Sequence, residues 1–197
     1  MAPDFSSDFP ASRLTAPLAK DTLDLPQQTQ DQIDRIEAMI MCEHSVHQLR
    51  SLNKELSLGH RILFHGPSGT GKTLTAAVLG QSTGREVYRI DLSKLMSKYI
   101  GETEKNLSRV FDEAEKNGWI LFFDEADALF GKRTETRSSH DRYANQEVSY
   151  LLQRIDNCSC VIIFATNSRG NIDSAFLRRF QSMVAFALPH KCDQKRL

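Results

Sequence analysis

The stretch RILFHGPSGTGKTLTAAVLG (residues 61–80) changes character twice within a short span. A compact apolar run, 61–65, has the composition of a buried strand. Glycines at 66, 69 and 71 follow, and from about Lys72 the apolar residues resume at helical density. Strand, glycine loop and helix form the context in which G-x-x-x-x-G-K-[ST] cradles phosphate. Gly66, Gly69 and Gly71 let the backbone curl so that successive N–H groups point inward at phosphate oxygens. The following helix adds the positive end of its dipole. Lys72 is placed to reach β- and γ-phosphates, and the Thr73 hydroxyl to ligate Mg²⁺. The residues assigned to nucleotide are Gly66, Pro67, Ser68, Gly69, Thr70, Gly71, Lys72, Thr73 and Leu74. The bland alternative is a glycine-rich turn carrying an exposed lysine.

Outward from this loop, short apolar runs alternate with helical segments. RILFH (61–65), EVYRI (86–90), WILFF (119–123), CVIIFA (160–165) and MVAFAL (183–188) read as strands. Leu107, Val110, Phe111 and Ala114 repeat at helical spacing, as do Val148, Leu151, Leu152 and Ile155. Unbroken apolar strands alternating with amphipathic helices predict an α/β fold, a parallel five-stranded sheet covered on both faces. Ligands on such sheets bind at the carboxyl ends of the strands. Ahead of the sheet, residues 1–26 are rich in Ser, Pro, Asp and Ala without periodicity and read as an extended arm. Residues 27–58 carry Ile33, Ile36, Ile40, Val46, Leu49 and Leu52 near helical spacing and read as a helical linker. The core domain then runs over 59–190, with 191–197 beyond it.

Composition narrows the function classes. Lysine plus arginine (25) balances aspartate plus glutamate (25), without the basic excess of a protein that chiefly binds nucleic acid. The four cysteines, Cys42, Cys158, Cys160 and Cys192, form no CxxC pair and read as reduced thiols rather than a metal or disulfide framework. The N-terminus MAPDFSSDFP lacks a charged and then apolar leader pattern, and no apolar run is long enough for a membrane span. These features predict a soluble cytoplasmic protein.

WILFFDEAD ends a buried strand with Asp124 and Glu125. If this strand neighbours the one before the phosphate loop, both carboxylates face the phosphates. Asp124 then holds Mg²⁺, and Glu125 orients and polarises the attacking water. The competing reading has Asp124 capping a helix over 126–130.

Together these residues resemble the AAA+ ATPase superfamily, in the branch of AAA proteins proper, and are most similar to bacterial single-module AAA ATPases. The resemblance runs from Gly59 to about Pro189 through GPSGTGKT (Walker A), ILFFDEAD (Walker B), IIFATN (sensor 1) and the arginine segment NIDSAFLRRF. It implies the P-loop NTPase fold of the AAA+ large subdomain, with ATP and Mg²⁺ as cofactors and ATP hydrolysis as the activity. Carried over, Asn167 matches the sensor 1 residue that feels the γ-phosphate, against an ordinary turn asparagine. Arg178 matches the arginine finger that enters a neighbouring subunit's site. The family's second arginine, three residues on, is replaced by Gln181, and whether the adjacent Arg179 compensates stays open. For both arginines the alternative is a pair of cations closing a short helix. Lys98, Tyr99, Ile100 and Gly101 match the pore loop, in which an aromatic grips unfolded polypeptide at the centre of a ring hexamer; the alternative packs Tyr99 and Ile100 onto the helix starting near Glu102. Residues 131–142, with Lys132, Arg133 and His140, read either as a second pore loop or as a solvated linker. The family's helical lid corresponds only to 191–197, read as its truncated beginning.

The resemblance implies a homo-oligomeric ring ATPase that remodels a protein substrate, and three readings follow. The first is that motor. The second is a P-loop ATPase of nucleic-acid metabolism, against which the neutral charge and the aromatic pore tip argue. The third is a nucleotide-binding fragment with little catalysis.

Overall fold

A computed structural model describes residues 11–17, 23–49, 59–90, 102–127 and 149–188. Its elements run β1 (Ala11–Leu14), α1 (Gln27–Leu49), β2 (Arg61–His65), α2 (Lys72–Thr83), β3 (Val87–Ile90), α3 (Glu102–Asn117) and β4 (Ile120–Phe123). There follow α4, described over 149–157, then β5 (Val161–Thr166), α5 (Ser174–Leu177) and β6 (Ser182–Ala185). The strands form one sheet in the order β1-β3-β4-β5-β2-β6. The last five of these pair in parallel, with Ile90 opposite Phe123, Phe123 opposite Phe164, and Leu63 opposite Phe164.

The apolar runs are continuous because the sheet is buried on both faces. Side chains alternate along a strand, so β4 sends Ile120 and Phe122 to one face and Leu121 and Phe123 to the other. The first face packs under Ile33, Ile36 and Ile40 of α1 and Ala76 and Leu79 of α2. The second packs under Leu107, Val110, Phe111 and Ala114 of α3 and Leu151, Leu152 and Ile155 of α4. Phe123 and Phe164 stack across neighbouring strands at 5.1 Å, which fixes β4 against β5. Among the described residues, no helix is long and apolar enough to cross a membrane.

Three features depart from what the sequence predicts locally. Residues 11–14, within the expected arm, form a sixth, antiparallel strand at the edge of the sheet, with Ala11 opposite Ile90. An ion pair from Arg13 to Glu86 at 2.9 Å pins this edge. Cys158 and Cys160, expected as reduced thiols, are joined in a disulfide. Their Cα atoms stand 5.5 Å apart at the entry to β5, within the range a bridge requires. Arg61, read only as the first residue of a strand, is buried at 5% exposure. Its guanidinium donates to the carbonyls of Ile155 (3.0 and 2.7 Å), Asp156 (2.6 Å) and Gly59 (2.8 Å), closing the C-terminal end of α4. Burial pushes the Arg61 pKa below its ordinary value, with Asp156 opposing that shift and Arg179 adding to it.

Candidate nucleotide-binding site

The phosphate loop leaves the carboxyl end of β2 and turns directly into α2. Gly66 has φ 149°, and a Cβ there would lie 2.0 Å from the Phe186 carbonyl oxygen, so no other residue fits. Gly71, at φ 90°, is the residue before α2 and offers no side-chain cap to the helix N–H groups. With no acidic residue in the first turn either, this N-terminus presents unneutralised positive partial charge to the loop. Thr70 holds the loop's curve by donating its hydroxyl to the Pro67 carbonyl at 2.9 Å.

Lys72 is the hub. It is only 8% exposed, and its ammonium donates to the carbonyls of Gly66 (2.6 Å) and Pro67 (2.8 Å) and to Asn167 Oδ1 (3.2 Å). Burial lowers the Lys72 pKa, while Asp124 and then Asp127 pull it back up. Both carboxylates therefore act on this lysine through space.

The strand order explains how they come together. β2 and β4 are not direct neighbours, as facing carboxylates had required; β5 lies between them. Parallel pairing brings the carboxyl ends of β2, β5 and β4 side by side, carrying the phosphate loop, Asn167 and Asp124 in that order. Asn167 thus stands centrally and reaches Lys72, while Asp124 lies one strand further out.

The turn after β4 is specified tightly. Glu125, exposed, has φ 53°, the one positive φ outside glycine among the described residues. Its N–H donates to Asp124 Oδ1 at 3.1 Å, and the buried Ala126 N–H donates to the Ala165 carbonyl at 2.9 Å. Asp124 therefore does not cap Ala126, whose N–H is already bonded to β5. Such strained conformations persist only where surrounding bonds over-determine them, and they concentrate at functional sites.

Asp127 is a residue that sequence reasoning passed over. Its Oδ1 lies 3.1 Å from the buried Thr166 hydroxyl, which also accepts the Ser168 N–H at 3.2 Å. Asp127 thereby ties the end of the DEAD segment to both neighbours of Asn167. The available signal was its spacing: three residues after Asp124, it returns to the same side of the turn. His65, half-buried at the end of β2, has its pKa lowered by burial first, then by Arg169 and Lys72.

Arg178 and Arg179 are not brought to this cluster. Gln181 Oε1 accepts the Arg61 N–H at 2.8 Å, and the Gln181 N–H donates to the Arg61 carbonyl at 3.0 Å. That anchors the segment at the start of β2, four residues from its carboxyl end, or roughly 13 Å at strand rise. Arg179 pairs with Asp156 at the end of α4 and lies over the Phe176 ring at 5.6 Å. Arg178 is exposed, and among the described residues it has no ion pair. Lys98, Tyr99, Ile100, Gly101 and the segments 131–142 and 191–197 lie outside the described residues.

The profile of the family described as "ATPase family associated with various cellular activities (AAA)" matches residues 62–188. The uncharacterized AAA family ATPase y4kL of Sinorhizobium fredii is 33% identical over 198 residues, covering 91% of this chain and 58% of that protein. Cell division protein C of Sulfolobus acidocaldarius is 36% identical over 145 residues, covering 69% of this chain and 39% of that one. The chain thus spans between 39% and 58% of the length of these relatives. Among solved structures, the FIGL-1 AAA domain in complex with ADP superposes with a TM-score of 0.69 at 22% identity, covering 91% of this chain and 59% of that chain. A second structure of the FIGL-1 AAA domain gives 0.71 at 21%, covering 98% and 65%. At such identities the likeness shows the fold alone.

Proposed function

The chain belongs to the AAA family of ATPases, and from that premise we propose that it binds MgATP at the carboxyl ends of β2, β5 and β4 and hydrolyses it. The observation that carries this reading is the convergence on Lys72. A buried ammonium bonded to loop carbonyls and to Asn167 is a cation held ready for anions. Phosphate oxygens would replace the neutral carbonyl acceptors with anionic ones, adding ion pairing to bonds that the ammonium already strengthens. The uncapped start of α2 and the N–H groups of the loop receive the rest of the phosphate charge.

Thr73 and Asp124 offer hydroxyl and carboxylate oxygens, hard donors that suit Mg²⁺. Bound there, Mg²⁺ would neutralise charge developing on the phosphates. Glu125, exposed on its strained turn, accepts the proton of an attacking water. Asn167 orients the γ-phosphate from the central strand. Asp127 holds the Asn167 turn through Thr166.

Arg178 acts in trans. Its segment is anchored at the opposite end of β2 from the phosphate loop, so it serves a neighbouring copy's site rather than its own. This supports a ring homo-oligomer, the hexamer implied by the resemblance, with Lys98, Tyr99, Ile100 and Gly101 gripping a protein substrate. Arg179, already paired with Asp156, does not take up the second-finger role.

The test of the site is Lys72→Ala, measured by binding of a fluorescent ATP analogue. Loss of binding is expected, and undiminished binding would refute the site.

A further inference from the structure

Asp124 has both carboxylate oxygens engaged. Oδ1 accepts the Glu125 N–H at 3.1 Å, and Oδ2 pairs with Arg89 Nη2 at 3.0 Å. Arg89 is the outward-facing residue of β3, set between buried Tyr88 and Ile90 and opposite Phe122 in register. From there its side chain runs along the sheet to the carboxyl end of β4. The pair is partly solvated, with the arginine side chain 50% and the aspartate 27% exposed.

We propose that Arg89 is a positioning residue that competes with Mg²⁺ for Asp124, and so sets the Mg²⁺ concentration at which nucleotide binds tightly. The inference rests on the reading of Asp124 as the metal-facing carboxylate. A guanidinium at Oδ2 occupies the lone-pair region a cation needs. Mg²⁺ demands near-ideal oxygen geometry at about 2.0–2.1 Å and cannot share that region with a second positive charge. Metal entry therefore requires Arg89 to move aside. Until then Arg89 acts as an internal counter-ion, holding the Asp124 carboxylate in place at the end of the sheet. The exposure of the pair sets its strength. A half-solvated ion pair is weak, so it shifts metal affinity several-fold without blocking the site. Arg89 is also suited to this by its single partner: among the described residues, Asp124 is the one carboxylate it pairs with.

The experiment titrates Mg²⁺ against binding of a fluorescent ADP analogue, beginning in EDTA, for wild type, Arg89→Met, Arg89→Gln and Arg89→Lys. The neutral variants should reach half-maximal enhancement at about two- to five-fold lower Mg²⁺, with affinity in EDTA unchanged. Arg89→Lys, which keeps the charge, should stay near wild type. Raising KCl should shrink the difference, because exposed pairs are screened. A midpoint unchanged or raised in both neutral variants, with the wild-type Mg²⁺ effect intact, would overturn the competition alone. A wild-type affinity indifferent to Mg²⁺ would overturn the metal assignment of Asp124, and this proposal with it.

Discussion

Replacing Arg61 by methionine keeps an apolar stem of similar reach and removes the guanidinium, so it isolates the hydrogen bonds from the packing. Three carbonyls lose their donor: Gly59, Ile155 and Asp156, the last two at the closing turn of α4. A buried acceptor left unpaired costs about 1–3 kcal/mol. Relief of the desolvation carried by the buried guanidinium offsets part of that loss. The net expectation is destabilisation of about 3 kcal/mol, equivalent to roughly 6–12 °C in melting temperature for a chain of this size. Trp119, the single tryptophan, is buried and packed against Tyr88 with ring centroids 3.9 Å apart, so its fluorescence reports urea unfolding of the β3–β4 region directly. Arg61→Lys should recover part of the loss, since an ammonium cannot span three carbonyls with a planar fork. A loss below about 1 kcal/mol in Arg61→Met, or full recovery with lysine, would show that those carbonyls find other partners and that the capping argument is wrong.

Glu125→Gln should retain nucleotide while turnover falls at least about 100-fold; near wild-type turnover would assign the water to another group. Glu125→Gly should lose turnover as well, yet raise the urea midpoint by up to about 1 kcal/mol equivalent, because φ 53° strains any residue with a Cβ. Asp127→Ala should lower kcat with little change in KM for ATP, since it acts on the Asn167 turn through Thr166; an equal rise in KM would mean it contacts nucleotide. Arg178→Ala should bind ATP normally and lose about 10³- to 10⁵-fold in rate in an active assembly, with partial recovery on mixing with Glu125→Gln protein. His65, lowered below its ordinary value of 6.5, protonates more readily in the unfolded chain. Its stabilising contribution is therefore present above pH 6.5 and lost as pH falls from there towards the folded value, and His65→Phe should flatten that part of the stability–pH curve.

The strand, glycine loop and helix of 61–80 were legible because they form a local object. Its glycines, lysine and helix start are contiguous, and the positive φ at residues 66, 69 and 71 favours glycine there. The five parallel strands were legible for a related reason: burial on both faces leaves unbroken apolar runs, and β4 with its four buried residues has no polar position at all. The stripe Leu107, Val110, Phe111, Ala114 likewise carries its own period, and each member is buried in α3.

Neighbour relations were not legible. Hydrophobic period states which face of an element is covered, and says nothing about which strand lies beside it. So the interposition of β5 between β2 and β4 came only with the assembled sheet, and with it the contact of Asn167 with Lys72. The edge strand 11–14 has no alternating signal, since ASRL draws its shape from pairing to β3 and from Glu86. Arg61 and Gln181 meet across a separation of 120 residues, Thr166 and Asp127 across 39, and each of these pairs uses a side chain of ordinary polar type. Arg89 and Asp124 are of the same kind: one charge on β3 and one just past the end of the adjacent β4, which no local pattern connects. Chemistry confined to one turn of chain is written in residue order. Polar contacts between strands depend on register and strand order, which are settled by packing both sheet faces at once.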